Sequence, residues 1–209
     1  MIKNIFGDYV YIGEISSNVH NEFKNDTVKQ LLSQDLNDKN EYSSWSLCEV
    51  SSSYFSKKQF TNYDKINYDL LTDEIEKHVQ TFLSLVNKDT SQFFDIVQTN
   101  TWVNIYNEHE FQELHDHIST KSQFACVYFM NYIPDEHAYL YFENDKYQIK
   151  TLSGITNIFK DNENYQSQYK PDVKEGSLII FPCYFKHGVS VQKSCKVPRI
   201  TVASNIGII

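Results

Sequence analysis

From about Phe93 to the end, the sequence is a succession of short apolar and aromatic segments separated by turn residues. The segments that fit strands are FFDIVQTNTWVNIYNE, FACVYFMNYI, AYLYFE, KYQIKTL, ITNIFK, GSLIIFP, HGVSVQ and RITVASNI. The turn pairs between them are Pro134-Asp135, Asn144-Asp145, Ser153-Gly154, Pro171-Asp172 and Glu175-Gly176. About eight short antiparallel strands at this spacing predict a double-sheet jelly roll.

The residues before this region carry one strand pattern and two helical patterns. NIFGDYVYIGEI alternates apolar and polar residues, which predicts an edge strand. NVHNEFKNDTVKQLLSQ predicts a helix with Asn18 or Asn21 as its N-cap. Residues 64–88 predict the clearest helix, because apolar side chains recur there at helical spacing. The positions on that face are Ile66, Leu70, Leu71, Ile75, His78, Val79, Phe82, Leu83 and Val86. We expect His78 to be a core or boundary residue rather than a metal ligand.

A chain of 209 residues fits one domain with a substantial core. We expect residues 1–92 to form a helical and strand support, and residues 93–209 to form the β core. The two helices would cover the outer face of one sheet. The 15 tyrosines and 14 phenylalanines agree with this, because both residue types suit half-buried pleated surfaces. The predicted fold is therefore mainly β, with N-terminal helices.

Charge and cysteine usage exclude several classes of protein. A net charge of −8 without a basic tract opposes binding to nucleic acid. The start of the chain lacks the apolar core and cleavage site of a signal peptide, and no apolar run is long enough to span a bilayer. The four cysteines show no metal-site spacing and predict free thiols; they are Cys48, Cys126, Cys183 and Cys195. We expect a cytoplasmic protein, of a bacterium or of a phage-infected host, with no membrane partner.

The chain contains a single arginine, Arg199, among its 19 basic residues. The other 18 basic residues are lysines, a bias that favours lysine wherever a positive charge alone suffices. An arginine that persists in such a background indicates a site where lysine does not suffice, such as a bidentate clamp on a carboxylate or phosphate. A solvated surface arginine present by chance is the other interpretation.

Of the seven histidines, only His115 and His117 share a local motif, in QELHDHIST. On a strand, residues two apart point the same way, so both could reach one metal while Asp116 points to the other face. If the strand ends at His115, this parity is lost and Asp116 becomes possible. His187, at the start of HGVSVQ, is the best distant candidate to complete the site.

The segments HGVSVQ and RITVASNI, joined by KSCKVP, predict a hairpin. His187 would then lie opposite about Val202, and Arg199 opposite about Ser190, which places Arg199 on the order of 10 Å further along. Small and polar side chains share the face of Arg199 in that strand; they are Thr201, Ala203 and Asn205. Two histidines and one further ligand, with open positions, fit non-haem Fe(II) better than structural zinc. A deeper arginine implies an anionic ligand between it and the metal, such as a dicarboxylate keto acid.

The ordered motifs HDH, FACVYFMNY, AYLYFEND, VKEGSLIIFPCYFKHGV and PRITVASNI resemble the double-stranded β-helix (cupin-like) core of the 2-oxoglutarate/Fe(II)-dependent oxygenases. The resemblance covers residues 101–206 and is greatest to prolyl-hydroxylase-like members and to small bacterial and phage-type oxygenases. It implies that His115 is the first metal ligand and His187 the distal one. It also implies that Arg199 binds the distal carboxylate of oxoglutarate, with Thr201 and Tyr106 as further contacts. Asn205 and Phe129 are expected to line the pocket.

Two positions depart from the family pattern. The second ligand in the family is Asp or Glu at the position of His117, so the site has either three histidines or Asp116 as its carboxylate. Phe129 stands where a tyrosine often contacts the co-substrate, and Tyr128 should point to the opposite face.

The resemblance implies an enzyme that uses Fe(II), oxoglutarate and O₂, with ascorbate as a supporting reductant, and that hydroxylates an unidentified substrate. A prolyl or other peptidyl side chain is the first expectation; a small molecule is the other. The segments NENYQSQYKPD and SSWSLCEVSSSYFSKKQF are expected to fold over the mouth. One alternative is a cupin-like metalloenzyme that uses no oxoglutarate, either a three-histidine dioxygenase or an isomerase. Another is a non-catalytic jelly-roll binding module.

Overall fold

The computed structural model describes residues 1–5, 8–32, 50–52, 66–87 and 93–209. The strands within these residues are β1 (Ile2–Ile5), β2 (Asp8–Glu14), β3 (Ser51–Ser52), β4 (Ile96–Tyr106), β5 (Gln112–His115), β6 (Phe124–Asn131), β7 (Leu140–Glu143), β8 (Gln168–Tyr169), β9 (Ser177–Pro182), β10 (His187–Val189) and β11 (Arg199–Ile208). The helices are α1 (Ser17–Leu32), α2 (Asp69–Asn87), α3 (Tyr147–Leu152) and α4 (Ile155–Ile158).

The strands form two antiparallel sheets. The larger sheet has the order β1-β2-β9-β6-β11-β4-β3, and the smaller has the order β5-β10-β7-β8. This arrangement confirms the predicted fold class, a mainly β jelly roll with N-terminal helices. Neighbours in sequence often lie in different sheets, as β5 and β6 do, so residues distant in sequence meet between the sheets.

Successive side chains of the central strand β11 point alternately into two different hydrophobic clusters, one on each face of the larger sheet. Ile200, Val202 and Ile206 belong to the cluster that includes α1 and α2, whereas Ala203 belongs to the cluster between the sheets. Arg199 and Thr201 have the parity of Ala203, and each is only 1% exposed. The predicted inward face of this strand is therefore confirmed.

The helices α1 and α2 cover the outer face of the larger sheet, as predicted. α2 buries Leu71, Ile75, Val79 and Phe82 on that sheet. His78 lies beside this face, with its Nδ1 2.7 Å from the Tyr11 hydroxyl, and is thus a boundary residue. Burial also lowers its pKa, which favours the neutral ring.

The helix boundaries differ in detail from the sequence pattern. α1 begins at Ser17, so Asn18 and Asn21 lie inside the helix, and the prediction that either is its cap was wrong. Leu70, expected on the buried face of α2, is 41% exposed. The helix predicted over residues 64–88 spans Asp69–Asn87, and positions 64, 65 and 88 lie outside the described residues.

Two segments predicted as strands are helices. KYQIKTL contains α3 and ITNIFK contains α4, and Gly154 joins them with a φ of 75°. Their apolar side chains face solvent, since Leu152 is 89% and Ile158 74% exposed. A short apolar run fits a strand or a helix equally well, and neither segment pairs with another strand in the part of the chain described here. NIFGDYVYIGEI, predicted as one edge strand, contributes to the hairpin β1–β2, whose first strand lies at the sheet edge.

The predicted hairpin of HGVSVQ and RITVASNI does not form. His187 pairs with His115 and Phe142 in the smaller sheet, not with Val202. Arg199 pairs with Tyr106 in the larger sheet, not with Ser190.

The connection between these two strands crosses from one sheet to the other. It is held by the fully buried Gln192, whose N–H donates to Glu110 O and whose Oε1 accepts from Ala138 N. His187 and Arg199 therefore face each other across the interior rather than along one ribbon. Cys126, Cys183 and Cys195 are free thiols, and Cys48 lies outside the described residues.

Candidate metal centre and the pocket beside it

Three histidines, two in the smaller sheet and one just after its strand β5, converge between the two sheets. The candidate ligand atoms of His115, His117 and His187 all lie within 4.8 Å of one another. Their ring centroids are 4.3 Å apart for His115 and His187, and 5.0 Å apart for His117 and His187. We call these three residues the triad.

Two members of the triad meet through strand pairing. His115 ends β5 and His187 begins β10, and the two residues lie directly opposite in the register. The next pair is Val189 with Gln112, so between the two pairs one residue of β10, Gly188, lies opposite two residues of β5, Glu113 and Leu114. This bulge turns the side chain of Gln112 to the same side as His115, a use of bulges that is common beside active sites.

His117 reaches the triad by a route that strand parity does not describe. β5 ends at His115, so His117 follows the strand, and its N–H donates to Cys183 O at 2.8 Å. Its ring stacks on Trp102, with centroids 5.7 Å apart and planes inclined by 21°.

Asp116 does not join the triad. This residue is exposed, and its Oδ1 accepts a hydrogen bond from the N–H of Ile118 at 3.1 Å. β5 ends at His115, which is the condition under which the sequence allowed Asp116 as a metal ligand. The structure nevertheless places His117, and not Asp116, beside His115 and His187.

The outer nitrogen of each ring faces an oxygen acceptor. Nδ1 lies 2.8 Å from Glu113 O in His115, 2.8 Å from Phe185 O in His187, and 2.8 Å from Asn205 Oδ1 in His117. Since these oxygens can only accept, Nδ1 carries the proton and Nε2 carries a lone pair in each of the three rings.

Nε2 of His117 and Nε2 of His187 are 3.3 Å apart. Two lone pairs at this distance repel unless a cation lies between them, and this donor set fits a divalent metal.

Burial keeps the triad neutral at physiological pH. It lowers the pKa of His117 to about 4, with a further contribution from the nearby His115. The pKa of His187 lies well below its usual value for the same two reasons, and burial also lowers the pKa of His115. Neutral imidazoles are the form that binds metals. The three histidines can therefore bind a cation without releasing protons first.

Arg199 lies deeper in the interior than the triad and carries an incompletely paired charge. Its guanidinium lies over the Tyr106 ring, 4.5 Å from the centroid, and 5.4 Å from the Phe129 centroid. Among the described residues, no acceptor bonds its Nε or Nη1. A buried cation is costly unless it is paired, so these nitrogens fit an anionic ligand. A small cavity joins this guanidinium to the triad; it is lined by Arg199, Thr201, Tyr106, His115, His117 and His187, among others.

The remaining residues predicted for this pocket fall close to it. Thr201 is buried two positions after Arg199, opposite Phe129 in the register. Phe129 is completely buried between the sheets, whereas Tyr128 faces α1, where its hydroxyl bonds His20 Nδ1. The expectation that Tyr128 points away from the pocket is therefore confirmed.

A wider cleft of about 710 Å³ opens on the other side of the triad. Its walls are residues 97–100 of β4, residues 116–122 and Asn205, and most of their side chains are polar. Trp102, Gln112, His115 and His117 line both the cleft and the inner cavity. NENYQSQYKPD, expected to cover the mouth, forms a 3₁₀ turn and β8 instead and lines neither space. Of the other segment expected there, SSWSLCEVSSSYFSKKQF, only residues 50–52 lie within the described residues.

Two residues of the site, Gln112 and Trp102, have no local sequence pattern that marks them as site residues. Gln112 lies within the QELHDHIST motif, but only the bulge, a property of the paired strands, turns it inward. Trp102 has an ordinary strand pattern around it, and no local signal marks its stacking on His117.

Comparison with known proteins gives one family match and many similar folds. Residues 100–205, half of the chain, match the family described as "Putative 2OG-Fe(II) oxygenase". No curated protein matches the chain. Within the described residues, no helix is long and apolar enough to cross a membrane.

Three solved structures illustrate the similarity of fold. AviO1 from Streptomyces viridochromogenes Tue57 is 11% identical, with 96% of this chain and 90% of that chain covered and a TM-score of 0.60. A Pseudomonas putida prolyl-4-hydroxylase is 10% identical, with 95% and 91% covered and a TM-score of 0.55. EctD from S. alaskensis, solved with 2-oxoglutarate and 5-hydroxyectoine, is 10% identical, with 96% and 72% covered and a TM-score of 0.54. At these identities the similarity concerns the fold.

Proposed function

The chain belongs to the 2OG-Fe(II) oxygenase family, and from this premise we propose that His115, His117 and His187 hold the iron while Arg199 binds the distal carboxylate of 2-oxoglutarate. The observation that carries the proposal is that the triad and the incompletely paired guanidinium line one cavity. A ligand with an anionic group at each end suits that cavity, because one end meets the metal and the other meets the arginine.

Each residue of the pocket has a defined task. The three imidazoles supply Nε2 lone pairs, and the oxygens bonded to their Nδ1 atoms hold the rings in place. Arg199 offers a planar fork to a carboxylate, supported by the Tyr106 ring beneath it. Thr201 adds a hydroxyl two positions further along the same face.

The iron, with oxoglutarate and O₂, supplies the oxidising chemistry when bound, and ascorbate would serve as a supporting reductant. The protein contributes the metal ligands and the orientation of the co-substrate. Because three neutral histidines bring no negative charge to the metal, an anionic co-substrate is attracted more strongly than at a site with a carboxylate ligand.

The proposed substrate is polar and enters by the wide cleft. Residues 97–100 and 116–122 present amide, hydroxyl and oppositely charged side chains beside His117. Such a lining suits a prolyl or other peptidyl side chain presented with its polar main chain.

One alternative is favoured by a specific feature, the histidine at the position where the family pattern has a carboxylate. A three-histidine dioxygenase or an isomerase would need the metal but not oxoglutarate. The buried fork of Arg199 opposes this alternative, since it would have no anion to bind. A non-catalytic binding module is opposed by the converging Nε2 lone pairs.

The test is anaerobic titration of the protein with Fe(II) and then with oxoglutarate, followed by measurement of succinate release in air. His187→Ala should abolish metal binding, while His109→Ala, a control at an exposed histidine, should leave it unchanged.

Arg199→Ala should keep the metal and weaken oxoglutarate binding at least about 30-fold. Arg199→Lys should restore little, because an ammonium cannot form the bidentate pair. Metal binding without oxoglutarate binding would favour the alternative metalloenzyme, and the absence of both would favour the binding module.

A further inference from the structure

Gln112 occupies the wall between the inner cavity and the open cleft. It is 9% exposed, and the bulge in β5 turns it to the side of His115 although the two residues are three apart. A regular strand would have sent these side chains to opposite faces. The local irregularity therefore brings a neutral amide into the interior next to the triad.

Two neighbours determine which way this amide is turned. The Tyr106 hydroxyl donates to Gln112 Oε1 at 2.7 Å, and Gln112 Nε2 lies 3.3 Å from Nε2 of His115. His115 Nε2 carries a lone pair, because Nδ1 of that ring donates to Glu113 O. The reversed amide would place Oε1 against that lone pair, so only one orientation satisfies both contacts. Gln112 thus directs an N–H group at the point where a metal would bind.

Metal binding takes away the acceptor of this N–H group. The lone pair of His115 Nε2 would bind the cation, and the buried amide would then lack a partner. An acceptor on the same metal is the nearest replacement, and a site of three neutral imidazoles attracts an anionic one. Tyr106 holds the other end of the amide and lies against Arg199, so one chain of contacts links both ends of the pocket.

We propose that Gln112 is a positioning residue that donates a hydrogen bond from its side-chain amide to the metal-bound, keto-acid end of the co-substrate. The inference rests on the proposed function, and it assigns to Gln112 the anchoring of the end opposite to Arg199. In this role Gln112 contacts the co-substrate and is not a metal ligand.

The experiment uses the full chain loaded anaerobically with Fe(II), and the probe is 2-oxoglutarate. Its dissociation constant is measured by calorimetry, and its mode of binding is followed by the visible charge-transfer absorption of the metal–keto acid complex. Gln112→Leu removes both the donor and the acceptor. Gln112→Glu keeps an acceptor for Tyr106 but replaces the donor with a carboxylate. Gln168→Leu, on the exposed part of β8 in the same sheet, is the matched control.

Gln112→Leu should weaken oxoglutarate binding about ten-fold, as expected for one hydrogen bond to a charged group, and should shift the absorption band. Its Fe(II) affinity should stay within about three-fold of the unmodified protein, which separates positioning from folding. Gln112→Glu should weaken oxoglutarate binding at least as much, because a carboxylate cannot donate and repels the keto acid. The control should behave as the unmodified protein.

Two results would overturn the inference while leaving the proposed function intact. One is equal oxoglutarate affinity in Gln112→Leu and the unmodified protein. The other is recovery of full affinity in Gln112→Glu, since Gln112 would then serve only to hold Tyr106. If the unmodified protein binds Fe(II) but no oxoglutarate, the proposed function fails first, and this inference is overturned with it.

Discussion

At the scale of single residues, the chain uses side chains whose chemistry has no substitute. Arg199 is the only arginine, and it is 1% exposed with its planar group over the Tyr106 ring. A lysine there would lose the stacking and the bidentate geometry. Asn205 is as specific, because its Oδ1 accepts from His117 Nδ1 and so orients a histidine that no strand holds.

Replacing Asn205 tests this orientation. Asn205→Ala should weaken Fe(II) binding by about 10- to 100-fold, as is common when the partner of a metal-binding histidine is lost. Asn205→Asp should retain most of the affinity, because a carboxylate oxygen also accepts from Nδ1. Fe(II) binding is measured by competition with a chelator, with Asn157→Ala in the exposed helix α4 as the control. Unchanged affinity in Asn205→Ala would show that Trp102 stacking suffices to hold the ring.

At the scale of elements, the site is built where regular structure is interrupted. The bulge in β5 turns Gln112 inward. The same strand ends at His115, and His117 is held instead by the hydrogen bond from its N–H to Cys183 O. The densest apolar packing lies on the other side of the larger sheet, where α2 buries Leu71, Ile75 and Val79. Rigid packing there holds β11, and β11 carries Arg199, Thr201 and Asn205.

The packing of α2 can be tested within the helix itself. Leu71→Ala removes a side chain that is 1% exposed and should lower the free energy of unfolding by about 2–5 kcal/mol. Leu85→Ala, at a position 53% exposed, should change it by less than about 0.5 kcal/mol. Urea denaturation followed by circular dichroism gives both values. Equal effects of the two substitutions would contradict the assigned face of the helix.

At the scale of the whole molecule, folding has to keep three imidazoles neutral, and this makes stability depend on pH. The pKa of His117 is lowered to about 4 in the folded state and is about 6.5 in the unfolded chain. Between these two values the unfolded state binds more protons, so the stability of the metal-free protein falls as the pH drops from about 6.5 toward 4. His187 adds an effect of the same sign, because its pKa is lowered too.

At pH 5.5, one unit below the unfolded pKa, His117 alone should cost the metal-free protein about 1.4 kcal/mol relative to pH 7.5. Denaturation in urea at the two pH values measures the difference. His117→Gln should reduce the dependence by about that amount, whereas His109→Gln, at an exposed position, should not. Identical stability of the unmodified protein at both pH values would show that the triad is not held neutral.

The sequence by itself determined which side chains the core strands direct inward. The period-two pattern of RITVASNI places Arg199, Thr201 and Asn205 on one face, and the structure has them there because side chains alternate in any regular strand. The mainly β class, the helix Asp69–Asn87 and the boundary role of His78 were predictable for the same reason, since each depends on local periodicity.

Only the tertiary structure decided which sheet each strand joins, and with it the composition of the site. KYQIKTL and ITNIFK carry apolar residues that fit a strand, yet they form helices because no strand pairs with them among the described residues. His187 and Arg199 lie across the interior from each other, and His117 rather than Asp116 meets the triad. Strand partners, bulges and strand ends depend on hydrogen bonds between residues far apart in sequence, such as His117 N–H to Cys183 O. The local pattern of apolar and polar residues does not indicate these long-range hydrogen bonds.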